Sequence, residues 1–172
     1  SLVEQIIASH SKVYGGGELG FLGECAVPII TQIIENGTNR VSKNDLLTVR
    51  SNYLKSLKKL NINKTIITDK MPANFSYIGF ILSAFPEAKI VHVRRSPIAT
   101  CWSNYKFLFA SKGNGFSYNQ KDLAGYYSLY SDLMDFWHKL YPNKIYDISY
   151  EELTANQEQE TEKLLKLSLI HI

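Results

Sequence analysis

The amino-acid sequence predicts an α/β fold with a parallel sheet, because short apolar runs alternate with longer segments of helical periodicity. Three runs have strand character. Thr65-Ile66-Ile67-Thr68 is β-branched throughout and reads as buried, and Ala88-Lys89-Ile90-Val91-His92-Val93 is the clearest of the three. Lys144-Ile145-Tyr146-Asp147-Ile148-Ser149 is the last.

Leu2, Val3, Ile6 and Ile7 recur at helical spacing, so the chain opens in a helix that Gly15-Gly16-Gly17 stops. Residues 21–34 read as a second helix, kinked at Pro28 and stopped by Asn36-Gly37. Apolar positions at Leu46, Leu47, Tyr53, Leu54, Leu57 and Leu60 give residues 45–60 an amphipathic face. Beyond the strand ending at Asp69-Lys70, residues 74–84 are helical and Pro86-Glu87 turns the chain. The second strand runs into Arg94-Arg95-Ser96-Pro97, and Pro97 suits the first turn of a helix over residues 98–110. Lys112-Gly113-Asn114-Gly115 marks a loop, and residues 121–140 form the longest and most aromatic helical pattern. Acidic helix starts at Glu151 and Glu158 follow the third strand. No repeat, low-complexity tract or linker interrupts the chain, so one domain over residues 1–172 is expected.

Composition narrows the class. A length of 172 residues, with 45% hydrophobic and 20% charged residues, is that of a globular protein and not of a disordered one. A net charge of +3 is too mild for a nucleic-acid partner but leaves room for a local anion site. Cys25 and Cys101 cannot build a disulfide framework and match no metal-ligand spacing, so no metal is expected. The longest near-apolar stretch, residues 77–85, falls far short of the roughly 20 residues that span a bilayer. The chain opens without Met and without a signal peptide, and is expected to be a fragment.

In a parallel α/β sheet, ligands gather beyond the carboxyl ends of the strands. Two such ends are polar here, Asp69-Lys70 and Arg94-Arg95-Ser96. The helix start beside Arg95 adds backbone N–H groups and a positive dipole end. Ser103, eight residues on, can share an anion with Arg95, whose planar fork binds phosphate at about 1.5–3 kcal/mol per charge-assisted bond. On residues alone, Arg94 and Arg95 also read as solvated helix-start charges and Ser103 as surface filler. Lys70 either neutralises charge on a transferring group or pairs with Asp69 or Glu87. Asp69 reads as a magnesium-holding carboxylate or as a helix cap. Glu18, beside three glycines, suits a general base in a cleft or a solvent-facing loop. His10, His92 and His138 read as structural, and His171 carries no signal. The stripe Tyr126, Tyr127, Tyr130, Phe136, Trp137 and Tyr141 reads as core before substrate wall.

Taken together, these segments resemble the sulfotransferases that use 3′-phosphoadenosine 5′-phosphosulfate. The likeness is closest to the bacterial-type and tetratricopeptide-linked members and more distant to the tyrosylprotein enzymes. It runs from Ser1 to about Leu165, and its most specific part is Val93-Arg94-Arg95-Ser96-Pro97-Ile98-Ala99-Thr100-Cys101-Trp102-Ser103-Asn104-Tyr105. The resemblance implies that Arg95 and Ser103 hold the 3′-phosphate of the donor. Asp69-Lys70-Met71-Pro72-Ala73-Asn74-Phe75 is similar to the family's Lys-x-Pro segment, which makes Lys70 the contact to the phosphosulfate bridge. Residues 1–10 resemble the helix after the phosphosulfate loop. Gly15-Gly16-Gly17-Glu18-Leu19 is similar to the segment carrying the catalytic glutamate of the tyrosylprotein enzymes, so Glu18 is the implied base, although other branches place a histidine near the lysine. Ser149-Tyr150-Glu151-Glu152-Leu153 resembles a Tyr-Glu-acid-Leu element, with Tyr150 an adenine-side or structural residue.

The resemblance implies a P-loop-type three-layer fold, a central parallel sheet flanked by helices. The family's first strand and its phosphosulfate loop, of Pro-Arg-Ser-Gly-Thr type, are expected upstream of Ser1. Residues 167–172 do not resemble the expected continuation and the family's basic loop is missing, so truncation at both ends is expected. The implied activity is sulfuryl transfer from 3′-phosphoadenosine 5′-phosphosulfate to an acceptor hydroxyl or amine, with the fragment itself expected to be inactive. The acceptor is a small molecule or a peptide, residues 112–121 are the candidate lid, and no metal or nucleic acid is needed. A magnesium-dependent nucleotide kinase or hydrolase using Asp69, and a non-catalytic module using the aromatic helix as a partner surface, are the alternatives. Two unpaired-looking cysteines and the lack of a signal point to the cytoplasm.

Overall fold

A computed structural model describes residues 1–110 and 113–168 and divides the chain into two units, Ser1–Ala88 and Lys89–Ile172. Each unit carries one pair of parallel strands with helices around it. The predicted loop and lid begin at Lys112, which lies outside the described residues, as does His171.

In the first unit, helix α1 (Leu2–Ala8) is capped by the Ser1 hydroxyl, which accepts the Glu4 N–H at 3.3 Å, and it buries Val3 and Ile7. Strand β1 (Val13–Gly15) follows, then α2 (Phe21–Glu35), α3 (Lys43–Lys58) and β2 (Ile66–Thr68). The parallel register sets Val13 opposite Ile66 and Gly15 opposite Thr68. Helix α2 runs through Pro28 and closes in a Schellman turn: Thr38 N–H reaches Ile33 O and Gly37 N–H reaches Ile34 O, both at 3.0 Å. Gly37 takes the left-handed conformation that turn requires, at φ 63°. Helix α3 starts two residues before its predicted apolar face because Ser42 and Asp45 form a reciprocal capping box. The segment predicted as one helix over 74–84 divides into a 3₁₀ turn, Pro72–Tyr77, and helix α4 (Ile78–Ala84). Leu22 and Ile29 of α2, Val49 of α3, and Ala84 and Phe85 at the end of α4 form the core of this unit. Arg50 closes its edge by donating to Ala84 O at 2.8 Å, pairing with Glu87 and covering the Phe85 ring.

In the second unit, strand β3 (Ile90–Arg94) pairs in parallel with β4 (Ile145–Ser149), with His92 opposite Asp147 and Arg94 opposite Ser149. Helix α5 (Pro97–Lys106) is capped by Ser96 and begins with the predicted proline. Helix α6 (Gln120–Leu140) is capped by the Asn119 side chain, while α7 (Tyr150–Ala155) is capped by Ser149 and leads to α8 (Gln157–Ser168). Ile145, Ile148, Met134, Leu123, Leu153 and Leu164 are its buried apolar residues.

Strands fall where three of them were expected, and β1 is an addition. The aromatic stripe on α6 corrects the sequence reading: its buried positions are Leu123 and Met134, whereas Tyr126 and Phe136 are exposed. Tyr126 instead stacks on Phe116 at 3.8 Å between ring centroids. Among the described residues, no helix is long and apolar enough to cross a membrane.

Candidate functional site

The parallel register of β1 and β2 makes the segments after Gly15 and Thr68 leave the sheet side by side. Gly16 N–H donates to Thr68 O at 2.9 Å, and Lys70 N–H donates to Gly17 O at 2.8 Å. This stitching brings Glu18 and Lys70 into a direct ion pair between Glu18 Oε1 and Lys70 Nζ. Glu18 stays largely open to solvent and Lys70 about a third. The glycines are needed for the approach. A Cβ on Gly16 would lie 2.4 Å from Thr68 O, and Gly17 adopts φ 66°.

A carboxylate that sequence reasoning missed supports this edge. Glu4 of α1 accepts the Gly17 N–H at 2.9 Å and the Thr68 hydroxyl at 3.1 Å, with little of its side chain exposed. Asp69, between strand and turn, accepts from the Tyr53 hydroxyl at 2.9 Å and from Asn74 Nδ2 at 3.3 Å. Burial pushes its carboxyl above the usual carboxylate range, against the lowering effect of those two hydrogen bonds. Burial likewise pushes the Tyr53 phenol up, reinforced by the charge of Asp69. Both Asp69 oxygens therefore serve the interior of the unit, and Lys70 pairs with Glu18, not with Asp69 or Glu87.

In the second unit the same geometry recurs at the ends of β3 and β4. Arg95 lays its guanidinium 5.3 Å from the centre of the Tyr150 ring, a cation–π contact worth about 0.5–1 kcal/mol at an exposed site. Glu151 accepts the Ser96 N–H at 2.9 Å, and its second oxygen lies 3.4 Å from the Ser149 hydroxyl. The Ser96 bond, with smaller help from Ser149 and Arg95, holds the Glu151 carboxyl below its ordinary range. At the start of α5, Ser96 N–H is taken by Glu151, Ala99 N–H faces the Ser96 hydroxyl at 3.5 Å, and Pro97 has no N–H. Arg95 makes no ion pair among the described residues. Ser103 is exposed on α5, on the helix face it shares with Ser96 and Thr100 at i, i+4 and i+7 spacing. Tyr150 is placed as the platform for Arg95.

The histidines read as structural are not equivalent. His10 accepts the Lys12 N–H at 3.2 Å beyond the end of α1. His92 lies 2.5 Å from Asp147 through Nδ1 and 2.5 Å from the Tyr130 hydroxyl through Nε2. Burial lowers its proton affinity, opposed by the hydrogen bond to Asp147. His138 Nε2 approaches the other Asp147 oxygen at 3.2 Å. Two open clefts, along Asn156–Glu162 and between Ser11–Lys12 and Ile62–Thr65, include none of the predicted site residues.

Two comparisons with known proteins bear on these residues. The profile of a family described as the sulfotransferase family matches residues 1–169. A protein of Aquifex aeolicus (strain VF5), described only as uncharacterized, is 34% identical over 182 residues, an alignment covering 96% of this chain. The chain spans 23% of that relative's length.

Proposed function

This chain belongs to the sulfotransferase family, and we propose that it carries the family's P-loop-like α/β architecture and serves sulfuryl transfer from 3′-phosphoadenosine 5′-phosphosulfate to an acceptor hydroxyl or amine. The observation that carries the reading is the Glu18–Lys70 pair at the carboxyl end of β1 and β2, a base and a cation held together by backbone bonds. The donor chemistry fits the residues present. Arg95 lies over the Tyr150 ring and is free of ion pairs among the described residues, which suits its N–H fork to a phosphate.

When bound, 3′-phosphoadenosine 5′-phosphosulfate supplies an electrophilic sulfur with a phosphate leaving group. Glu18 accepts the proton of the acceptor hydroxyl as the new S–O bond forms. Lys70 offsets the charge that develops on the bridging oxygen as the old S–O bond breaks. Arg95 and Ser103 hold the 3′-phosphate, and Tyr150 holds Arg95. The acceptor is a small molecule or a peptide. Occupation of both Asp69 oxygens by Tyr53 and Asn74 argues against the magnesium-dependent kinase reading.

Titration of the full-length protein with adenosine 3′,5′-bisphosphate in EDTA-containing buffer tests the proposal. Saturable binding is expected, with Arg95→Ala weakening it at least tenfold, since one charge-assisted bond is worth about 1.5–3 kcal/mol. Lys70→Ala is expected to lower turnover with little change in that affinity. Binding of ATP only with magnesium would overturn the proposal for a kinase, and binding of neither nucleotide would overturn it for a non-catalytic module.

A further inference from the structure

His92, His138 and Asp147 converge from three elements, although nothing in their sequence spacing announces a set. His92 on β3 and Asp147 on β4 face each other in the parallel register, and His138 comes from the last turn of α6. One nitrogen from each histidine and a carboxylate oxygen all lie within 4.8 Å of one another. With metal–ligand bonds of about 2.0–2.2 Å, the edge of a zinc tetrahedron is about 3.4 Å, so side-chain rotations suffice to close the set around an ion.

We propose that His92, His138 and Asp147 form a site for a zinc-class divalent transition-metal ion that ties β3, β4 and α6 together. Two imidazole nitrogens with one carboxylate are the donor set such ions prefer, and a fourth position is left for water. The second shell is in place. When His92 ligates through Nδ1, the single proton of the neutral ring sits on Nε2 and is donated to the Tyr130 oxygen, which lies 2.5 Å away. His92 is 12% exposed, whereas His138 and Asp147 are 33% and 35% exposed, so one ligand is fixed in the interior and two face the entry path. One group works against a cation. Arg94 shares the His92 face of β3 and acts electrostatically on the imidazole. The Asp147 charge must offset it, which makes Asp147 the ligand whose loss costs most. The inference stands apart from the reading of the sulfuryl donor, because none of its ligands has a part in that chemistry.

The test uses the full-length, untagged protein stripped with EDTA and then dialysed. Zn²⁺ affinity is read by competition with a chromogenic chelator, and Co²⁺ serves as a probe whose visible bands report tetrahedral coordination. One zinc equivalent should weaken at least tenfold in His138→Ala and further in Asp147→Asn. Tyr130→Phe should cost about 10–100-fold as a second-shell change, and His10→Ala should cost nothing. Zinc should also raise the thermal midpoint of the wild type and not of His138→Ala. His138 is partly exposed, so that variant is expected to fold, as far-ultraviolet circular dichroism will report. Zinc affinity unchanged in both His138→Ala and Asp147→Asn, or no saturable binding, overturns the proposal and leaves a hydrogen-bonded network.

Discussion

Gly16→Ala is the most direct perturbation of the Glu18–Lys70 edge. The added Cβ would lie 2.4 Å from Thr68 O and 3.0 Å from Leu19 Cδ1, where ordinary contact begins at 3.4 Å. The leucine can rotate away. The carbonyl cannot, because it belongs to β2 and accepts the Gly16 N–H at 2.9 Å. Loop and strand must therefore part by about 1 Å, an overpacking strain of roughly 1–3 kcal/mol. Glu18 rides on that loop, and a shift of about 1 Å in a reacting group can cost on the order of 100-fold in rate. Gly17→Ala supplies the control. Its φ of 66° makes alanine strained by about 1–2 kcal/mol, yet its Cβ would meet nothing within 4 Å, so Glu18 keeps its place. Turnover and urea unfolding of both variants in the full-length protein separate the two effects. Similar destabilisation is expected, with kcat at least tenfold lower for Gly16→Ala than for Gly17→Ala. Equal kcat in the two would refute the base assignment, because the position of Glu18 would then not matter.

Other consequences follow from the same contacts. Glu151→Ala should weaken adenosine 3′,5′-bisphosphate binding about three- to tenfold by releasing Ser96 at the head of α5. Glu151→Gln keeps an acceptor oxygen and should recover most of that loss; titrations showing the two variants equally weak would remove Glu151 as a positioning residue. Tyr53→Phe keeps the ring between Phe21 and Phe85 but strips Asp69 of a hydrogen bond, so urea unfolding should show a loss of about 1.5–3 kcal/mol. A loss under about 0.5 kcal/mol would mean that Asp69 finds another partner. Asp69 also sets a pH dependence. Its folded pKa is raised above the 3.8 of the free carboxyl, so the native state holds the proton more tightly. The associated stabilisation is full below 3.8 and is lost as pH rises through the folded pKa. Asp69→Asn should remove that decline from a series of unfolding curves above pH 3.8, and an unaltered decline would assign it to another group.

What the sequence revealed and what it hid follow from the range of the interactions involved. Strands β2, β3 and β4 announce themselves by runs of β-branched and apolar residues. Strand β1 is only three residues long and ends in glycine, so its existence depends on the β2 edge, far along the chain. The residues 74–84 have helical composition throughout, but Pro72 starts a tighter 3₁₀ turn that Tyr77 ends before α4 begins. Among candidate residues, Glu18, Lys70, Arg95, Ser103 and Tyr150 are named by motif resemblance. Glu4, Glu151 and the His92–Asp147–His138 group were not, since each acts through a partner that only the strand register brings near. Glu151 stood within a recognised segment, yet nothing local in that segment names Ser96 as its partner.

One geometric rule acts in each of the two units. In a parallel pair the two chains leave the sheet at the same end, so residues just past matched positions meet whatever their separation in sequence. Gly15 opposite Thr68 brings Glu18 to Lys70, and Arg94 opposite Ser149 brings Arg95 to Tyr150 and Ser96 to Glu151. An antiparallel pairing would send the same segments to opposite ends and separate every one of these contacts. Register matters as much as direction, because a slip of one residue turns each side chain to the other face of the sheet. The His92–Asp147 contact joins matched positions in the second register, and the close Gly16–Thr68 approach holds the first. Residues outside the candidate set therefore decide whether the candidates within each unit can meet, and Gly16 tests that dependence more cleanly than Glu18 itself.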